Sequence, residues 1–300
     1  MLSYLHGFHA GNFADMHKHA ALWLVLNHLR KKNKPFCVID SHAGSGWYDL
    51  GSAQAAKTGE WKVGYALAKA ASSSSDVPDM LKQYLDHVAA FDPIAKGRDY
   101  GVREGDEVDY TGPFYPGSPF IVREMLREED ELILMELHPR EYDALYHRVK
   151  RDGRIHLHKR DGYEGLVAMM PPAIRRGLVL MDPSYDVKQD YQKAINATQR
   201  AWERWPTGTF ILWYPILEDG FDAEIRNAFG AIKASGGVLA AELSCDQGGA
   251  KGRMRGAGLL VINPPWQFDQ QLGDIGNWLA KTCKLPGPGK HTIKWLVAAE

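Results

Sequence analysis

An α/β fold built on a Rossmann-like, largely parallel sheet, with a small helical insertion, is what this sequence predicts. Three observations predict it. Short apolar runs bounded by turn residues recur along the chain, the mark of strands buried on both faces. Stretches of helical period lie between them, as βα units require. The first clear strand, Phe36-Cys37-Val38-Ile39-Asp40, runs straight into Ser41-His42-Ala43-Gly44-Ser45-Gly46, a Gly-x-Gly turn after an acid.

Composition bounds the problem. The chain has 300 residues, 45% hydrophobic and 24% charged, enough for one large α/β domain or one domain with an insertion. A net charge of −1 gives no global basic field, so any binding of a polyanion must come from local patches. The 3 cysteines, Cys37, Cys245 and Cys283, are scattered and odd in number, which fits no disulfide framework and no Cys-rich zinc pattern. The opening residues lack a signal peptide's basic and apolar regions, and no apolar run is long enough to span a bilayer. A cytoplasmic protein without a membrane partner is expected.

The N-terminal run Tyr4-Leu5-His6-Gly7-Phe8-His9-Ala10-Gly11-Asn12 continues to Asp15, Lys18 and His19. Its density of His, Asp and His could suggest a metal centre, against which Lys18 would repel a cation and no cysteine helps. A loop facing phosphate or carboxylate is as plausible, because His, Lys and backbone amides all donate. From Asp15 the pattern is helical, with Ala20, Leu22, Leu24, Val25, Leu26 and Leu29 on its apolar face and a Lys-rich stop before Pro35. After the Gly-x-Gly turn the βα rhythm breaks. Residues 51–112 read as a helical insertion, with helices around Val63–Ala71 and Met80–Phe91, between core segments 1–50 and 113–300.

Ser118 before Pro119 reads as a simple helix N-cap followed by an N1 proline. The second core strand, Glu131–Met135, ends at Glu136, and an acid there commonly binds ribose hydroxyls. The third, Ile155–His158, is followed by Asp161 and Gly162, and Asp161 is placed to accept an adenine amine. The fourth, Gly177–Met181, ends in Asp182-Pro183-Ser184-Tyr185. Asp182 and the Pro183 carbonyl accept hydrogen bonds, and Tyr185 offers a flat face for a base. Strand tips carrying Asp40, Glu136, Asp161 and Asp182 in chain order are hard to assign to chance. Further strands are expected at 210–215, 238–243 and 259–262, the last running into Asn263-Pro264-Pro265-Trp266. The glycine-rich basic segment 248–256 reads equally as a hairpin tip or a phosphate contact.

Two loops compete for the chemistry. Asn263-Pro264-Pro265-Trp266 matches the Asp/Asn/Ser-Pro-Pro-aromatic pattern of amine methyltransferases, whereas Asp182-Pro183-Ser184-Tyr185 does not. Chain order favours Asp182, which follows three βα units after the Gly-x-Gly turn. The later loop is then structural, or a wall of the substrate cleft.

The turn Asp40-x-x-x-Gly44-x-Gly46 looks like the first motif of S-adenosylmethionine-dependent methyltransferases. More specifically, the chain resembles the bacterial J-type family that places an N6-methyl on an adenine of 23S ribosomal RNA. The carrying segments are Phe8–Asn12 with Lys18-His19, Asp40–Gly44, Tyr115–Pro119, Glu136–Pro139, Asp161-Gly162, Leu212–Pro215 and Asn263–Trp266. The resemblance implies a Rossmann-like methyltransferase fold and S-adenosylmethionine as donor; no metal is expected, because a sulfonium is already an activated donor. It implies 23S rRNA as partner, with no obligate protein partner. It implies cofactor contacts by Lys18, His19, His42, Gly44, Ser118, Glu136, Asp161 and Gly162, with Asp182 also at the cofactor. Catalysis falls to Asp182, Pro183 and Tyr185, and an RNA contact to Tyr4. The family's second motif proline is Ser184 here, a departure that touches loop rigidity. A DNA adenine methyltransferase, or a binding module inactivated by Ser184, stays open beside this reading.

Overall fold

The computed structural model describes residues 5–100, 110, 112–245, 254–285 and 287–300. Tyr4 and the centre of the basic segment, residues 248–253, lie outside the described residues. The strands are β1 (Cys37–Asp40), β2 (Trp47–Asp49), β3 (Phe114–Pro116), β4 (Glu131–Met135), β5 (Ile155–His158), β6 (Gly177–Met181), β7 (Thr209–Ile216), β8 (Val238–Cys245), β9 (Gly256–Ile262) and β10 (Gly289–Val297). The first helix, α1, spans Phe13–Arg30. Between β2 and β3 lie α2 (Ala53–Thr58), α3 (Glu60–Val63), α4 (Tyr65–Ala70), α5 (Asp79–Ala89) and α6 (Pro93–Lys96). The rest are α7 (Ser118–Met125), α8 (Pro139–Val149), α9 (Gly162–Met169), α10 (Gln189–Arg204), α11 (Phe221–Phe229) and α12 (Phe268–Thr282).

Among the described residues, the main sheet has 8 strands in the order β10-β8-β9-β7-β6-β1-β4-β5. β7, β6, β1, β4 and β5 pair in parallel, while β9, β8 and β10 add antiparallel. The chain steps outward from β1 through β4 to β5, then returns to β6 on the other side of β1. That reversal leaves a crevice at the carboxyl ends of β1 and β6, where open α/β sheets place their ligands. The Rossmann-like architecture expected from the strand rhythm is therefore present.

Alternation along each strand builds two cores. In β6, Leu178 and Leu180 point to one face and Val179 and Met181 to the other, and all are buried. α1, α5, α7, α8 and α12 cover the first face, and α9, α10 and α11 the second. α1 is buried on nearly all sides, so it carries polar residues inward as well as apolar ones. Its N-cap is Asn12, whose side chain accepts from the Asp15 amide at 2.8 Å, a cap worth about 1 kcal/mol.

Several features depart from the sequence expectations. β2 and β3 form a two-stranded antiparallel ribbon around the helices of the 51–112 stretch, where no strand was expected. Those helices do not pack apart from the rest. Tyr65, Leu81, Tyr84 and Val88 join the same apolar cluster as α1. The helix expected over Val63–Ala71 breaks at Gly64, where a Cβ would lie 2.4 Å from the Gly11 carbonyl oxygen. At the C-terminus, α12 and β10 were not expected, although Phe268, Leu272, Ile275 and Leu279 recur at helical spacing; β10 completes the sheet and α12 packs on it. β10 is an edge strand paired only with β8, so its pattern is half-buried rather than apolar.

Candidate active site

A cleft of about 290 Å³ opens at the carboxyl ends of β1, β4, β5 and β6. Its floor is the turn after β1. Gly44 sits at φ 62°, a left-handed conformation glycine adopts without strain, and a Cβ there would approach the Tyr48 hydroxyl to 2.5 Å. Gly162, opening α9, lies so close that a Cβ would meet the Ser41 carbonyl oxygen at 2.0 Å. These glycines bring the β1 and β5 tips together beneath the cleft.

Glu136, past the tip of β4, accepts from the Gly44 amide at 2.7 Å and the His138 amide at 2.7 Å. Burial pushes its carboxyl up to about 7, although both amides favour the charged form. Asp161 caps α9, its Oδ1 accepting from the Tyr163 and Glu164 amides at 2.9 and 3.1 Å. His42 hydrogen-bonds the Ser41 hydroxyl at 2.8 Å, and burial lowers it to about 4, so it is neutral at pH 7. Ser118 corrects an expectation. It is the first helical residue of α7 rather than its cap, because Gly117 takes the N-cap position. Its hydroxyl instead donates to Asp40 Oδ2 at 2.6 Å. Asp40 is fully buried, and burial raises its carboxyl to about 6 against the pull of Ser118.

The N-terminal histidine run, expected to face phosphate or carboxylate, faces carboxylates of its own fold. Asp15 sits 3.2 Å from His6 Nε2, 2.8 Å from Lys18 Nζ and 3.3 Å from His19 Nε2. His9 reaches Glu60 at 3.0 Å. Burial would raise Asp15, but His19, Lys18 and His6 outweigh it and hold the carboxyl well below the usual range. Burial takes His19 down to about 3, and its Nδ1 lies 3.1 Å from the Tyr115 hydroxyl. Asp15 was not singled out in the sequence. The signal was there, since Lys18 and His19 follow it at i+3 and i+4, on one helix face.

Lys18 carries this network to the β6 tip. Its ammonium lies 2.8 Å from Asp15 and 2.5 Å from Asp182. Burial acts to lower Lys18, and the two carboxylates raise it overall, so the cation persists in the interior. Asp182, Pro183 and Ser184 line the cleft together with Lys18, His19, His42, Gly44, Ser118, Glu136 and Asp161. Tyr185 does not. Its backbone is at φ 53°, its hydroxyl donates to the Trp213 carbonyl at 2.8 Å, and its ring packs 4.5 Å from Tyr191. The face expected to receive a base is turned inward against these aromatics.

Asn263 is far from all of this. β9 runs antiparallel to β7, so its C-terminal end meets the start of β7, at the sheet edge opposite the cleft. The Asn263 amide donates to the Pro206 and Gly208 carbonyls at 2.8 Å each, and Thr209 bonds its carbonyl. The Asn-Pro-Pro-Trp loop is no wall of the cleft.

Two acids, a glycine cradle and a β6 loop beginning Asp-Pro at one switch point suit an adenosyl donor and an amine acceptor. Residues 33–297 match the family model described as Ribosomal RNA large subunit methyltransferase D, RlmJ. The chain belongs to this family. It is 38% identical over 299 residues, 99% of each chain, to the Ribosomal RNA large subunit methyltransferase J of Escherichia coli (strain K12). It is 36% identical over 298 residues, again 99% of each, to that of Haemophilus influenzae. The crystal structure of protein LPL1258 from Legionella pneumophila superposes with a TM-score of 0.80 at 29% identity, covering 96% of this chain and 98% of that one. The likeness to that structure thus extends over nearly the whole chain.

Proposed function

We propose that this methyltransferase transfers the methyl of S-adenosylmethionine to the N6 amine of an adenine in 23S rRNA, with Asp182 as the catalytic residue. The observation that carries the reading is the meeting of Asp182 and Pro183 with Gly44, Glu136 and Asp161 in one cleft.

The residues present fit the donor. Glu141 lines the cleft, and its buried Oε2 has no hydrogen-bond partner. Gly44 lines the cleft, and a Cβ there would crowd the Tyr48 hydroxyl at 2.5 Å, while Gly162 packs beneath it against Ser41. Glu136 and Asp161 supply acceptors for hydroxyls and an exocyclic amine, and His42 and Ser118 stand beside them. S-adenosylmethionine supplies there an electrophilic methyl on a sulfonium.

Asp182 and the Pro183 carbonyl do the positioning. An adenine amine is a weak nucleophile because its lone pair is delocalised into the ring. Two acceptors that each accept a hydrogen bond from one of its N–H groups favour a pyramidal nitrogen with its lone pair aimed at the methyl. As the N–C bond forms the S–C bond breaks, with a thioether as leaving group, and the nitrogen loses one proton to solvent. Lys18 holds Asp182 in an ion pair and fixes the direction of its carboxylate, with Asp15 behind it. The base must leave its stack, at about a few kcal/mol. Stacking on Tyr185, roughly 1–3 kcal/mol per base, requires that ring to leave Tyr191 and Trp213. Tyr4 is read as an RNA contact by resemblance. Ser184 is exposed at the cleft's edge and leaves Asp182 and Pro183 in place, which supports an active enzyme. Ser184→Pro is expected to retain turnover within several-fold, measured as methyl transfer to unmodified rRNA. Loss of all activity in that variant would contradict this view of the loop.

A further inference from the structure

α8 begins at the rim of the cleft, where His138 and Glu141 line it, and runs away along the β5 edge of the sheet. Positions four apart lie on one helix face. Here that line reads His138, Tyr142, Tyr146 and Lys150. The two tyrosine rings lie 6.3 Å apart and nearly parallel, 15° between planes, and Tyr146 is 45% exposed. Lys159, just past β5, stands 5.1 Å over Tyr142, and Lys150 stands 5.7 Å over Tyr146. Arg140, Arg151 and Arg160 are exposed on the same edge.

This edge is a basic patch in a chain of net charge −1. Residues 138–160 hold 7 Lys and Arg against 3 Asp and Glu. A second cationic cluster, at the opposite end of the sheet, is structural: Arg127 donates to the Lys32 and Lys34 carbonyls, and Arg176 to those of Lys34 and Leu29.

Within residues 138–160, Arg148 and Arg154 turn inward to backbone carbonyls and Asp152. We propose that the α8–β5 edge is a docking surface for the RNA substrate, taking phosphates on its exposed Lys150, Lys159, Arg140, Arg151 and Arg160, and unpaired bases on Tyr142 and Tyr146. It rests on the rRNA reading above. Aromatic faces interleaved with cations are what single-stranded nucleic acid requires, because stacking is indifferent to sequence and the cations neutralise the backbone. The line from His138 to Lys150 spans about 18 Å of helix, far more than one nucleotide's contact and continuous with the cleft. RNA entering by this surface is held beside the active site before any base is extruded.

The test compares the full-length wild-type protein with Lys150→Glu/Lys159→Glu and with Tyr146→Ala, none of them at cleft residues. Binding of an unmodified 23S rRNA fragment is measured against salt, alongside cofactor binding and steady-state methylation. The double variant is expected to bind RNA about tenfold or more weakly, and to show a salt slope shallower by about 0.7 for each phosphate it no longer neutralises. Tyr146→Ala is expected to weaken binding several-fold with its salt slope kept. In both variants KM for RNA rises while cofactor affinity and kcat stay near wild type. Unchanged RNA affinity and slope in both overturns the docking surface, as does wild-type binding without salt dependence. Failure of the wild type to methylate the RNA it binds sinks the enzymatic reading instead, and is seen separately.

Discussion

Asp40 and Glu136 carry carboxyls whose burial outweighs their hydrogen bonds, with opposite consequences for fold and function. Asp40 titrates at about 6 in the folded protein, above the roughly 3.9 of an unfolded chain. Its folded form holds the proton more tightly, so Asp40 ionisation weakens the fold as pH rises from about 4 through 6. Asp40→Asn keeps the shape and an acceptor for Ser118. It is expected to stabilise the protein at pH 8 by on the order of 1–3 kcal/mol and to have no advantage below pH 4, read by thermal melts across pH. Glu136, at about 7, is half protonated near neutrality. If it accepts from ribose hydroxyls, the carboxylate is the binding form, and cofactor affinity climbs several-fold from pH 6 to 8. Glu136→Gln flattens that profile in calorimetric titrations; a profile unmoved by the substitution removes Glu136 from the cofactor's reach.

At the scale of elements, the turns decide more than the strands. The Gly162 backbone approaches Ser41 so closely that Gly162→Ala must push α9 away from β1. The expected outcome is cofactor affinity down by tenfold or more and a lower melting temperature, with Gly153→Ala, in open space, as the neutral control. Acid-tipped strands and the Gly-x-Gly turn were legible in the sequence, because fully buried parallel strands read as apolar runs and their loops stand out. Ser118 misled because Ser-Pro is also the commonest way to start a helix. Only the packing of α7 against the tip of β1 brings its hydroxyl to Asp40, at 2.6 Å. Tyr185 misled for a similar reason: an aromatic is visible in the sequence, and the fold decides which way it faces. Stacking of a base on Tyr185 requires its ring to turn off Tyr191 and Trp213, so its ring NMR signals are expected to shift when RNA, but not cofactor alone, is added. A shift with cofactor alone contradicts that ordering.

Across the whole molecule, sheet direction separates two loops that look alike in sequence. Asp182 follows a parallel strand and lands at the cleft, while Asn263 follows an antiparallel one and lands at the far edge. Chain order distinguished them only by assuming a conventional sheet, and the register supplies the reason. Asn263→Ala is therefore expected to lower stability by about 1–3 kcal/mol, because it removes three side-chain hydrogen bonds, to Pro206, Gly208 and Gly236, and to leave kcat and KM near wild type. The N-terminal network was less legible, since Asp15 is tied to partners as distant in sequence as Asp182 through Lys18. No local pattern connects residues 164 positions apart. The C-terminal strand was silent for the opposite reason: an edge strand has no need of an apolar run.

The most direct measurement is transfer of labelled methyl from S-adenosylmethionine to unmodified 23S rRNA, by wild type and Asp182→Ala, followed by nucleoside analysis and a cofactor-binding titration. The predicted result is N6-methyladenosine with the wild type, none with Asp182→Ala, and cofactor bound by both. Near-normal turnover in Asp182→Ala, or methyl on another atom or nucleoside, would contradict the assignment of the β6 tip as the catalytic loop for adenine.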